Sequence, residues 1–171
     1  MRPFRFAASL VLTAASCVMP ISQPASTAPS PYPAADAFAA TESRIFDLIN
    51  AQRRRAGLAP LVFNAQLDRM AKIQSGQMAE FQKMAHVLPQ AELPTLTDRA
   101  QKVGYPYGRI AENVALGYPT AESVVDGWMS SNAHRANILN RDVAETGIGI
   151  ARSKAGGLYY CQVFGRRLTS F

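Results

Sequence analysis

The sequence predicts an α+β fold, with helices first and an antiparallel sheet largely at the end. Apolar residues between Ile45 and Met129 recur mostly at three- and four-residue intervals, the mark of helices with one buried face. From Ile148 to Phe164 the period drops to two, the mark of strands. Strands and helices do not alternate repeatedly along the chain, which argues against a doubly wound parallel sheet, and no internal repeat is present.

The elements follow in order. Ile45, Leu48, Ile49 and Gln52 lie at helical spacing, with Thr41 placed to cap the start and Gly57 to end it. Leu61-Val62-Phe63 is a short apolar link. Asn64 caps a long second helix whose stripe, Leu67, Met70, Ala71, Gln74, Met78 and Phe81, reads as plain core. His86 falls off that stripe, so it sits at the helix end or just beyond it. Pro89 and Pro94 bracket a loop, and Thr97-Asp98-Arg99 opens a short helix ending near Gly104. Ile110 to Ala115 is a short extended segment closed by Gly117 and Pro119. Thr120 caps a helix with Ala121, Val124, Val125, Trp128 and Met129 on one face, and Glu122 is a surface acid complementing its dipole. Ser130-Ser131-Asn132 breaks that pattern, and His134 to Asn140 forms another helical turn. Ile148 and Ile150, then Leu158, Tyr160, Gln162 and Phe164, form a hairpin around Gly156-Gly157.

The chain has 171 residues, 48% hydrophobic and 18% charged, which gives one ordinary globular domain and excludes a wholly disordered chain. With two cysteines and two histidines, neither a disulfide-rich scaffold nor a four-cysteine or three-histidine zinc site can be built. Arg2 and Arg5 precede an apolar stretch, Phe6 to Ile21, that Ser9, Thr13, Ser16 and Pro20 interrupt. That stretch is too broken for a spanning helix and reads as a secretory signal over residues 1–25. A Pro/Ser/Ala-rich linker over 26–40 and a domain over 41–168 follow. The expectation is export to the periplasm or beyond, with no transmembrane segment in the mature chain. Cys17 resembles a lipidated cysteine, but Ala14 stands where such signals carry a large aliphatic residue, so a plain signal is preferred. Cys161 is then a lone, buried thiol. Arg53-Arg54-Arg55 reads as a solvated helix end, and no nucleic-acid partner is expected.

No His-Glu-x-x-His, Gly-x-Ser-x-Gly or phosphate-cradling glycine loop occurs, so no catalytic residue is assigned. Ser130 and Ser131 lie near His134 without triad spacing. Three separated residues are candidates for one site: His86, Glu112 and His134. Glu112 stands in an otherwise apolar run, where burial is costly unless the carboxylate is paired or bound. Two imidazoles and a carboxylate could hold a divalent cation with open positions, or tie the segments together by hydrogen bonds.

The sequence resembles the CAP superfamily of cysteine-rich secretory, antigen 5 and pathogenesis-related 1 proteins, in its short bacterial form. The resemblance rests on Ala111-Glu112-Asn113-Val114-Ala115, on Trp128 through Leu139 including Ser130-Ser131-Asn132-Ala133-His134-Arg135-Ala136-Asn137, on Thr146 through Ala151, and on Tyr160 through Gly165. Ile49 through Arg53 and Pro60-Leu61 also fit, so the match covers about residues 42–166. It implies a three-layer α-β-α sandwich with a central antiparallel sheet, and a cleft marked by two histidines and two acids. His86, Glu112 and His134 match three of these, and Ser131 stands where the fourth, an acid three places after the tryptophan, is usual. Ser131 and Asn137 complete the expected cleft, Asn137 with Arg135 as orienting residues of the His134 turn. The implied function is a monomeric, non-enzymatic envelope or extracellular module. Its cleft takes a small apolar ligand, an envelope component or a divalent metal. No cofactor is required, and zinc or another divalent cation is the candidate ion on His86, His134 and Glu112. The alternatives are a metal-dependent hydrolase using those three residues and a purely structural cluster.

Overall fold

The structure, a computed structural model, describes residues 37–168. The signal segment, Cys17 and most of the linker lie outside the described residues. Helix α1 spans Ala39–Arg55 with Phe38 at its N-cap, so it starts two residues before Thr41 and takes in the end of the expected linker. At its other end the expectation of three solvated arginines fails for one of them. Arg54 and Arg55 are exposed, but Arg53 is buried. Its guanidinium donates to the carbonyls of Ala59 (2.9 Å), Ile138 (2.7 Å), Asn140 (2.8 Å) and Val143 (3.5 Å). Loop carbonyls supply the acceptors that burial demands.

The link after α1 becomes a two-residue strand, β1 (Val62–Phe63). The Asn50 side chain holds both the N–H (2.7 Å) and the C=O (3.0 Å) of Leu61, which keeps the chain extended as it leaves the helix. β1 runs parallel to β3 (Glu145–Arg152), so one parallel pairing makes mixed the otherwise antiparallel central sheet that the sequence predicts. The strand order is β1-β3-β4-β2, with β4 (Leu158–Arg167) antiparallel to both β3 and β2 (Tyr107–Leu116). The β3–β4 connection is the five-residue loop Ser153–Gly157 and not a two-residue glycine turn. Ser153 closes it: its N–H donates to the Gly157 carbonyl (2.9 Å) and its hydroxyl accepts from the Gly157 N–H (3.1 Å).

Helices cover both faces of the sheet. On one lie α2 (Ala65–Phe81), capped by the Asn64 side chain, and α3 (Leu96–Val103), opened by a Thr95–Asp98 capping box. On the other lie α1, α4 (Ala121–Ser130) and α5 (Asn132–Ile138). The alternation of β4 serves both layers. Tyr159, Cys161 and Val163 join the α2 core, while Tyr160 and Phe164 join the core of α1, α4 and α5 with Trp128, Ile45 and Ile49. Double coverage is why β3 and β4 are buried nearly throughout. It also explains two glycines in β3, since the α2 backbone lies directly on Gly147 and Gly149. Beyond the end of β1, the open edge of β3 is closed by α1, where Glu42 accepts the Ile150 N–H at 3.0 Å.

Candidate functional site

β2 is an edge strand, and the site straddles its free edge. Strand alternation sends Glu112 toward the α2/α3 layer, with Ile110 and Val114, and Asn113 toward the α4/α5 layer. α2 ends at Gln82, which adopts a left-handed conformation (φ 50°). The chain then runs as a loop that brings His86 over the strand edge from one side, while α5 brings His134 from the other.

Glu112 is buried and both its oxygens are engaged. Arg99 Nη2 donates to Oε2 at 2.6 Å, and His86 Nδ1 lies 3.0 Å from Oε1. The Cys161 thiol donates to Oε2 at 3.4 Å. Arg99 is itself fully buried, and its Nη1 donates to the Leu93 carbonyl at 3.3 Å. The His86 side chain is more than half exposed, so Glu112 links a buried arginine to a solvent-facing imidazole. The hydrogen bond to Glu112 is the main reason the His86 pKa is raised above 6.5. Burial, and then the charge of His86, lower that of His134.

On the other face Asn113 donates to the His134 carbonyl (3.1 Å), and Asn137 Nδ2 bridges Asn113 Oδ1 (2.9 Å) and the Glu112 carbonyl (3.3 Å). Asn113 and Asn137 thus lock the His134 turn to β2 through the main chain. Ser131 caps the junction of α4 and α5, where its N–H donates to the Trp128 carbonyl (3.2 Å), but its side chain makes no cap bond to α5. Trp128 is buried and donates Nε1–H to the Val114 carbonyl at 3.3 Å.

Three residues of this arrangement had not been singled out as site residues: Arg99, Asn113 and Cys161. A signal for Arg99 did exist. With Leu96, Ala100 and Val103 it lies on one helical face, and a cation on an apolar face calls for a buried acid. Asn113 carried no such signal, because an asparagine in an extended run is as readily a surface residue.

Of the trio proposed for a metal, Glu112 has no free carboxylate oxygen to offer. Both Glu112 oxygens already accept hydrogen bonds, and a guanidinium stands 2.6 Å from one of them, where a divalent cation would meet a fixed positive charge. Among the described residues no group of three or more His, Cys, Asp or Glu is arranged to hold an ion.

The two histidines should act on stability with opposite pH dependence. His86, with its raised pKa, stabilises below its unfolded value, and the contribution fades as pH rises through the folded value. His134, with its lowered pKa, stabilises above its unfolded value, and the contribution fades as pH falls toward the folded one. Thermal melts between about pH 5 and 8 should show the deficit of His86→Gln growing toward acid, and that of His134→Gln growing toward neutral pH. Slopes of the same sign would contradict the assignment.

The profile of CAP, the cysteine-rich secretory protein family, matches residues 46–164. The uncharacterised protein YkwD of Bacillus subtilis is 34% identical over 127 residues, which are 74% of this chain and 48% of that protein. The uncharacterised membrane protein YlbC of the same organism is 32% identical over 74% of this chain and 35% of its own length. The chain thus spans about half or less of these curated relatives. An extracellular protein of Bacillus anthracis containing an SCP domain superposes with a TM-score of 0.69 at 30% identity, over 75% of this chain and 41% of that one. An outer surface protein of Borrelia burgdorferi shares the fold, with a TM-score of 0.66 at 22% identity over 72% of this chain and 90% of its own.

Proposed function

The chain belongs to the cysteine-rich secretory protein family, CAP, and from that membership we propose that it is an exported binding module that recognises a ligand without transforming it. The surface that carries His86 and His134 is the recognition site, and Glu112 is its internal anchor. The observation that carries this reading is the double engagement of the Glu112 carboxylate by Arg99 and His86. A carboxylate paired with a buried guanidinium is neither a free base nor a free metal ligand. Its remaining role is to hold His86 in place and favour its protonated form, beside a His134 whose burial favours the neutral form. The polar end of a small molecule then meets two imidazoles, one biased toward the charged form and one toward the neutral form.

The apolar part of that molecule has a place to rest. Met84 and Val87, on either side of His86 in its loop, are 48% and 50% exposed. Two exposed apolar side chains beside an imidazole whose protonated form is favoured suit an amphipathic ligand with an anionic or hydroxylic head. Export is supported by the signal-like first residues and by the extracellular and outer-surface relatives. Among the described residues no helix is long and apolar enough to cross a membrane.

The test is a fluorescence titration of the purified chain with a dansylated undecanoic acid. Saturable binding is expected, weakened about tenfold or more in His86→Ala and in Met84→Ser, since a lost charged or apolar anchor is worth about 1.4 kcal/mol or more. Equal binding by these variants, or no saturable binding to the wild type, would remove the proposal.

A further inference from the structure

Among the described residues two arginines are completely or nearly completely buried, and they are treated differently. Arg99 faces Glu112 across 2.6 Å. Arg53, at 2% exposure, meets only carbonyl oxygens, and among the described residues no carboxylate pairs with it. Carbonyl dipoles satisfy its N–H groups and leave its net charge without a counter-charge, and its pKa is lowered by burial.

Arg53 lines a pocket of about 360 Å³, at the end of the sandwich where α1 stops and β1 begins. Arg141, from the loop after α5, and Arg166, near the end of β4, are exposed and also line it. No acidic residue lines it. The side chain of Arg141 has no carboxylate partner among the described residues, and Arg166 donates only to the Arg141 carbonyl, at 3.0 Å. The adjacent Asp142 does not neutralise them, because its carboxylate pairs with Arg109 at 3.5 Å. Leu58, Pro60 and Val62 supply an apolar wall.

We propose that this pocket is a second binding site, separate from the histidine cleft, that takes a phosphate group. The exposed Arg141 and Arg166, from the α5–β3 loop and β4, line one concavity together with the buried Arg53 of α1, and no acid is in its lining. That arrangement suits a tetrahedral, multiply charged anion better than a single carboxylate, since arginine forks bind phosphate oxygens in pairs. The buried Arg53 fixes the geometry and the field, while the exposed Arg141 and Arg166 fold onto the ligand. The volume exceeds that of a bare phosphate ion, leaving room along the apolar wall for part of the group that the phosphate esterifies.

The experiment uses the full chain and three probes: inorganic phosphate, glycerol 3-phosphate, and vesicles of phosphatidic acid in phosphatidylcholine. The wild type is expected to bind at least one of them saturably. The Arg141→Gln/Arg166→Gln double variant, which changes only exposed side chains, should lose about tenfold or more in affinity. Binding of the soluble phosphates identifies a free phosphoester as the source, and binding of the vesicles alone identifies a lipid headgroup. Absence of binding in all three arms, or equal binding by the double variant with an unchanged melting temperature, overturns the proposal.

Discussion

Replacing Arg99 by methionine is expected to destabilise the fold by about 3–5 kcal/mol, the usual cost of leaving one member of a buried ion pair alone. The Arg99 side chain is 0% exposed and that of Glu112 3%, so neither charge can turn to solvent. The loss comes chiefly from the orphaned carboxylate. The Arg99→Met/Glu112→Gln double variant should therefore recover a large part of it, giving a coupling energy of about 2 kcal/mol or more in a double-mutant cycle. Denaturant unfolding of the four proteins measures this. Additive effects would mean that the pair is not energetically coupled, and Glu112 would lose its standing as an anchored group.

The second large effect is expected in β3. An alanine Cβ at Gly147 would lie 1.9 Å from the Asp68 nitrogen and 2.3 Å from the Asp68 Cα. These are backbone atoms of α2, so no side chain can rotate away and the helix must lift from the sheet. Gly147→Ala should cost about 3 kcal/mol or more, at the upper end of overpacking effects. Gly156 is the control. Its φ is +91°, but nothing lies within 4 Å of its added Cβ, so Gly156→Ala should cost only the left-handed backbone penalty of about 1–2 kcal/mol. Thermal melts of both variants check the ranking, and equal losses would show that α2 does not bear on Gly147.

These two sites mark where sequence reading succeeds and where it stops. The helices after Asn64 and Thr120 were legible because a cap residue and an apolar stripe agree. The β3–β4 pairing was legible because two alternating runs flank glycines. The parallel pairing of β1 was not, since two residues carry no period, and the Asn50 side chain that holds the preceding Leu61 lies eleven positions from it. The burial of Arg53 was hidden for a similar reason. Its acceptors are main-chain carbonyls up to 90 residues distant, which leave no trace in residue identity.

The candidate site divides in the same way. His86, Glu112 and His134 stand out as a rare pair of histidines and an acid in an apolar strand. The structure joins His86 and Glu112 directly, and joins His134 to the strand through Asn113 and Asn137. What the residues alone did not disclose is the charge balance beneath them. Arg99 lies thirteen residues before Glu112, on a different element, and its presence changes the carboxylate from a candidate ligand into an internal anchor. Ser131, at the position where the resemblance implies a second acid, provides only a helix junction.

On the proposed function, Glu112 holds the cleft from within and is not available to a metal ion. Calorimetric titration of the full chain with zinc, after purification without an affinity tag or chelator, tests it most directly. No stoichiometric uptake that depends on the cleft is expected, with wild type, His86→Ala and Glu112→Gln giving the same heats. One equivalent of zinc bound by the wild type, and lost in both variants, would contradict it.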